Sequence, residues 1–149
     1  MTLPVPEPAL KMNAAELLEF LRQTFPQAAS GGATIESVDA GGLVLALDAG
    51  EEHLRPGGTL SGPTFMWMVD LAMYLAILSR IGPVALAVTT NLEIHFLRKS
   101  GPARILAKAS ILKLGKRLAV GNVTVTTSES DEPLAFATVT YALPGDARP

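Results

Sequence analysis

Cysteine is absent from this chain, and charge is scarce: only 17% of its 149 residues are Asp, Glu, Lys or Arg, against about 25% in ordinary soluble domains. The first absence excludes disulfides, thiolate metal sites and cysteine nucleophiles. The second leaves a lone monomer with too little charge to cover its outside, the more so at a mean hydropathy of +0.33. Part of the surface is therefore expected to be buried against another subunit or to meet a membrane. Disorder is excluded by 48% hydrophobic residues and a net charge of only -2. A chain of this length suits one domain and hides roughly two-thirds of its unfolded surface.

The membrane alternative fails on the longest apolar run. Residues 63–79 (PTFMWMVDLAMYLAILS) carry Asp70 near their middle. A spanning helix needs about 20 apolar residues, and a central Asp costs about 3 kcal/mol. The start of the chain (MTLPVPEPALK) lacks a cationic stretch followed by an apolar one. Residues 1–12 are read as an extended arm and 13–149 as one domain, soluble and cytoplasmic, with no membrane insertion.

Asn13 and Glu16 have capping-box spacing, and Leu17, Leu18, Leu21 and Phe25 recur at helical spacing before Pro26. The pattern predicts a helix over 13–25. Two strands are expected near 33–38 and 42–48, with Leu43, Leu45 and Leu47 sharing one face. Residues 50–62 read as a Gly/Pro loop, and 63–79 as an apolar helix ended by Gly82-Pro83. Four long strands are predicted over 84–99, 103–114, 117–128 and 134–143, and Gly121 suggests a bulge in the third of these. A helix apolar nearly all round must be wrapped on most sides. The element order thus predicts an α+β hotdog fold, a curved antiparallel sheet around one long central helix.

The stretch HLRPGGTLSGPTFMWMVDLAMYLAI (53–77) resembles the Asn-x-x-Gly-Thr-x-His-Gly-Gly loop and carboxylate-bearing helix of the PaaI-type (phenylacetate-pathway) acyl-CoA thioesterases of the hotdog superfamily. The stretch TTNLEIHFLRKSGPARILAKASILKLGKRLAVGNVTV (89–125) resembles the strand pattern of the same family, and the likeness spans roughly 42–143. It implies an acyl-CoA thioesterase with coenzyme A arriving as part of the substrate and no separate cofactor. Carried over by position, the carboxylate is Asp70, the amide that polarises the thioester carbonyl is that of Gly62, and an assisting hydroxyl falls on Thr89, or on Thr90 if the register slips. Three positions depart from the family loop: Arg55 replaces its Asn, Ser61 its His and Pro63 its second Gly. Pro63 has no amide proton to offer. These departures keep a rival reading open, an acyl-CoA-binding hotdog protein without catalysis.

The residues carry their own case. Asp70 is the sole charge in 63–79, and a buried carboxylate is costly unless it is hydrogen-bonded or reaches water. Eight residues separate it from Gly62, about 12 Å along a helix and roughly 80° around it. The two cannot serve one carbonyl within a single chain, so an active site shared between subunits of a homodimer or homotetramer is expected. Ser61 suits the N-cap of the helix. His53 and His95 form no triad spacing with a serine, and no metal site is expected. Seven of the twelve basic residues fall in 98–117 without an acid among them. The negative net charge and sparse aromatics argue against nucleic acid. Arg98, Lys116 and Arg117 are candidates for the phosphates of coenzyme A. Arg55 is a candidate for a ligand anion or for pairing with Asp70. The Met and aromatic side chains of the helix (Phe65, Met66, Trp67, Met68, Met73 and Tyr74) are expected in core, interface or acyl pocket.

Overall fold

Asn13 caps helix α1 (Ala14–Thr24) as its spacing implies: its Oδ1 accepts from the Glu16 amide at 2.9 Å, and Glu16 accepts from the Asn13 amide at 3.2 Å. Two otherwise orphan donors are thereby satisfied. The computed structural model describes residues 3–4 and 9–145; half of the arm read at 1–12 lies outside them. Its end is pinned, because the amides of Lys11 and Met12 donate to the Ser79 carbonyl. Pro26 does not stop the chain's helical path. It opens one further turn, α2 (Pro26–Ala29), since proline is accepted at a first helical position.

Strands β1 (Thr34–Asp39) and β2 (Gly42–Ala49) form a hairpin whose turn is held by Asp39 Oδ1, accepting from the amides of Gly41 and Gly42. Leu43, Leu45 and Leu47 are all buried, as their alternation predicts. The expected loop at 50–62 holds more structure than its composition suggests. A 3-10 turn (Glu51–His53) is followed by the small hairpin of β3 (Leu54–Arg55) and β4 (Thr59–Leu60). Gly57 and Gly58 turn it with φ of 100° and 81°, a region that other residues enter at a cost.

Helix α3 (Gly62–Ile81) follows, slightly longer than 63–79, and Gly82 at φ 97° ends it. Strands β5 (Val88–Phe96), β6 (Ala103–Leu114), β7 (Leu118–Thr127) and β8 (Ala135–Ala142) complete a six-stranded sheet in the order β1-β2-β6-β7-β8-β5, every pair antiparallel. Helix α3 packs against β2, β5, β6, β7 and β8. It is long and apolar enough to cross a membrane, but most of it is buried inside the fold, where the sheet stands in place of lipid. This is the α+β hotdog arrangement.

Two sequence expectations need correction. The first long strand spans 88–96 rather than 84–99: residues 84–87 form a turn in which the Ala87 amide bonds the Val84 carbonyl. The in–out alternation of a regular strand also breaks at Thr90, where the β5–β8 register shifts between Thr89 and Asn91. An unpaired residue reverses which side chains face inward. Ala87 and Thr89 face inward before the bulge, Leu92 and Ile94 after it. The bulge expected at Gly121 lies instead on the neighbouring strand, where β6 shifts register between Ile111 and Lys113. Gly121 is required by close packing: a Cβ there would lie 2.4 Å from Met73 Cε of α3 and 2.4 Å from the Ser110 carbonyl oxygen. Gly121→Val should therefore destabilise the fold by about 1–3 kcal/mol in urea denaturation. An unchanged midpoint would show that the helix does not press on this strand.

Candidate active site

The β5 bulge decides what faces Asp70. Because Thr90 is unpaired, Thr89 turns inward and lies directly across the sheet from Tyr141 of β8. These cross-strand neighbours both reach Asp70 on α3. The Thr89 hydroxyl donates to Asp70 Oδ1 at 2.6 Å and the Tyr141 hydroxyl donates to the same oxygen at 2.7 Å. The Tyr141 hydroxyl also lies 3.0 Å from the Asp70 carbonyl oxygen. Asp70 Oδ2 takes no hydrogen bond among the described residues. One carboxylate oxygen is thus fixed by two donors, and the other carries none among the described residues.

A cleft of about 460 Å³ opens beside this group. Asp70, Thr89 and Tyr141 line it together with Phe25, Trp67, Leu71, Tyr74, Ala87 and other residues at the start of β5 and the α1–α2 junction. A mainly apolar cleft with a few convergent polar groups is the usual form of a small-molecule site. Tyr141 is only 3% exposed. Its burial, and then the neighbouring Asp70 charge, push its hydroxyl well above the ordinary pKa of 10. Burial raises Tyr74 as well, and the Tyr74 hydroxyl donates to the Ala85 carbonyl at 3.1 Å. Both tyrosines therefore stay protonated donors through the neutral range.

The remaining candidates lie elsewhere in the chain. Gly62 begins α3 away from the cleft, where a Cβ would meet the Phe96 ring at 3.4 Å. Ser61 is the N-cap, its Oγ accepting from the Thr64 amide. Thr90 is exposed and donates to the Thr140 carbonyl. Arg55 is exposed on β3 and does not pair with Asp70, whose side-chain partners are Thr89 and Tyr141. Arg98 lies 3.5 Å from Glu132, and Lys116 and Arg117 are exposed in the β6–β7 turn. Two other basic residues of this stretch find acids from outside it: Arg104 meets Asp48 and Lys108 meets Asp131. His53 accepts from the Gly50 amide and His95 sits beside Glu93; neither reaches Asp70. On α3, Phe65, Met68 and Met73 are core, Met66 is exposed, and Trp67 and Tyr74 face the cleft. Tyr141 was not found from the sequence. Its one signal is a hydroxyl on the face that Ala135, Ala137 and Val139 identify as inward, 71 residues from the carboxylate it serves.

Residues 57–134 match the family model of the thioesterase superfamily. The solved structure of a candidate thioesterase from Silicibacter sp. TM1040 is similar over 96% of this chain and 99% of that one, with 36% identity and a TM-score of 0.84. A mutant of the phenylacetic acid degradation protein PaaI from Thermus thermophilus is similar over 80% of this chain and 99% of that one, at 25% identity and a TM-score of 0.70. Thioesterase superfamily member 2 from zebra fish shares the fold, with 23% identity over 90% of this chain and 100% of that one and a TM-score of 0.79. None of the curated proteins compared matches the chain.

The two tyrosines carry a pH dependence whose sign is fixed. A group whose folded pKa is raised above its unfolded value adds stability at pH values below the unfolded one and loses it as pH climbs. Both are raised above 10, so unfolding free energy should fall as pH rises above 10, less steeply in Tyr141→Phe. Absorbance titration should show no phenolate near pH 10 while the protein is folded. Two tyrosines titrating normally in the folded state would contradict the burial.

Proposed function

This chain belongs to the thioesterase superfamily, and from that premise we propose that it hydrolyses an acyl-CoA thioester at Asp70. The observation that carries the reading is the division of labour between the two carboxylate oxygens. Oδ1 is held by Thr89 and Tyr141, Oδ2 takes no hydrogen bond among the described residues, and Asp70 lines the cleft. Oδ2 either takes a proton from an attacking water or itself attacks the carbonyl carbon. By either route the C–S bond breaks and the thiolate of coenzyme A leaves and is protonated. Water attacks the thioester directly in the first; in the second it cleaves the anhydride formed with Asp70, restoring the carboxylate and supplying the second oxygen of the carboxylic acid.

The negative charge that develops on the carbonyl oxygen needs a donor, and the free amide at the start of α3 is suited to it. Gly62 and Asp70 of one chain stand about 12 Å apart along the helix, so the donor is the partner's Gly62. Strand β5 supports this pairing of chains. It is a nine-residue strand at the sheet edge with Val88 and Phe96 exposed, the kind of edge that pairs with another chain. Antiparallel pairing of two β5 strands brings the Phe96 end of one beside the Val88 end of the other. Phe96 adjoins Gly62 and Thr89 binds Asp70, so each cleft would gain the other chain's helix start. The homodimer is the minimal unit, a homotetramer a pair of such units. Arg98, Lys116, Arg117 and Arg55, at exposed ends of strands, are the groups available for the phosphates of coenzyme A.

Asp70→Asn should lower thiol release from a susceptible acyl-CoA by about 10²–10⁴-fold, with fold and oligomer retained. Undiminished turnover would sink the assignment. Ligand-induced thermal stabilisation of the wild type without any thiol release would instead favour the non-catalytic binder. Co-expression of Asp70→Asn with Gly62→Pro tests the shared site. Proline is tolerated at a helix start but removes the amide, so each variant alone should be impaired. Their heterodimer should regain activity through its one intact site; no recovery in mixed dimers would place both groups in the same chain.

A further inference from the structure

One wall of the cleft comes from a part of the chain that the family match does not reach. Phe25 closes α1 and opens α2, outside the matched residues 57–134. It is 45% exposed, so nearly half of its area remains uncovered. Its ring stands edge-on to Tyr74, with centroids 6.4 Å apart, and Tyr74 stacks on Tyr141 at 6.0 Å. Tyr141 in turn holds Asp70. The rings therefore make a line along the cleft from the carboxylate to Phe25. Trp67 is held from the same segment: a Cβ on Gly31 would lie 2.3 Å from its ring, so only glycine lets the indole lie where it does. Asp70 is the sole charged side chain lining the cleft among the described residues.

We propose that the α1–α2 junction measures the acyl group, with Phe25 setting how long a chain the cleft accepts. The inference rests on the thioesterase reading above. A carbonyl poised at Asp70 Oδ2 sends its acyl tail over Tyr74 toward Phe25, and the ring ends its path. The group accepted is uncharged and apolar, because an acyl group with a charge of its own would be desolvated here without a partner. The cleft volume, about 460 Å³, is roughly three times the ~150 Å³ that encloses a benzene ring. That space suits a medium-length chain or a single ring with its linker. Each further methylene that finds room contributes about fourfold to binding, so a wall moved by one side chain is legible in a chain-length series.

The test compares kcat/KM across straight-chain acyl-CoAs from butyryl to dodecanoyl in the wild type, Phe25→Ala and Phe25→Trp. The ratio of dodecanoyl to hexanoyl hydrolysis should rise about tenfold or more in Phe25→Ala, room for two or more methylenes at this increment, and should fall in Phe25→Trp. Phe25→Leu replaces the alanine variant if that fails to fold, with a smaller rise expected. Equal changes at every length would overturn the proposal, because they would place Phe25 at the coenzyme A mouth or in structure alone. Thermal stabilisation of Asp70→Asn by the same acyl-CoAs, with and without the Phe25 changes, separates the two readings. If the wild type hydrolyses none of them, the thioesterase reading fails. A length preference in stabilisation that still moves with Phe25 supports the measuring wall, and one that does not move overturns it.

Discussion

Asp70 lies in the middle of a helix whose neighbours are apolar, so its carboxylate must be given hydrogen bonds by whatever wraps that helix. Two strands provide them, β5 through Thr89 and β8 through Tyr141, and both donors converge on one oxygen. A hydrogen bond to a charged group contributes about 1.5–3 kcal/mol. Two such bonds offset a large part of what enclosing the carboxylate costs, and they do so without neutralising it by a basic partner. Oδ2 receives no such bond among the described residues. Structural satisfaction and chemical readiness thus come from one asymmetry, the crowding of donors onto Oδ1.

That asymmetry depends on a local irregularity of the sheet. With perfect alternation along β5, Thr89 would share a face with Glu93 and His95, which are exposed. The unpaired Thr90 switches the parity, so a threonine on the polar side of the sequence pattern faces the core side of the fold. The low charge of the chain finds its place in the same frame. Much of the apolar content is in α3, buried by five strands, and in the inward faces of those strands. Part of what remains outside lies near the β5 edge, where Leu86, Val88, Phe96 and Leu97 are all more than half exposed.

The large elements were legible because their signals are strong and local. The helix cap at Asn13, the run 63–79 and the strand alternations each follow from residues near one another in sequence. The hotdog arrangement followed from their order, and Asp70 was singled out by being the lone charge in an apolar run. What stayed hidden depends on pairing between distant strands. The bulge at Thr90 is a property of the β5–β8 register, and Tyr141 reaches Asp70 only because Thr89 is its cross-strand neighbour. Gly121 looked like a bulge because a glycine in a strand has two explanations; the second, close approach of Met73, needs the helix in place. Helix α2 and the small β3–β4 hairpin were missed because Gly/Pro-rich segments signal turns without saying what the turns join.

The proposed reaction centre joins Asp70 of one chain to the helix start of another. A crystal structure with a non-hydrolysable acyl-CoA analogue, in which a methylene replaces the thioester sulfur and leaves a ketone carbonyl in the thioester carbonyl's place, tests it most directly. The carbonyl carbon is expected against Asp70 Oδ2 of one chain and its oxygen on the partner's Gly62 amide, with the acyl group in the cleft beside Tyr74. Both contacts arising from one chain, or an acyl group bound away from Asp70, would contradict it.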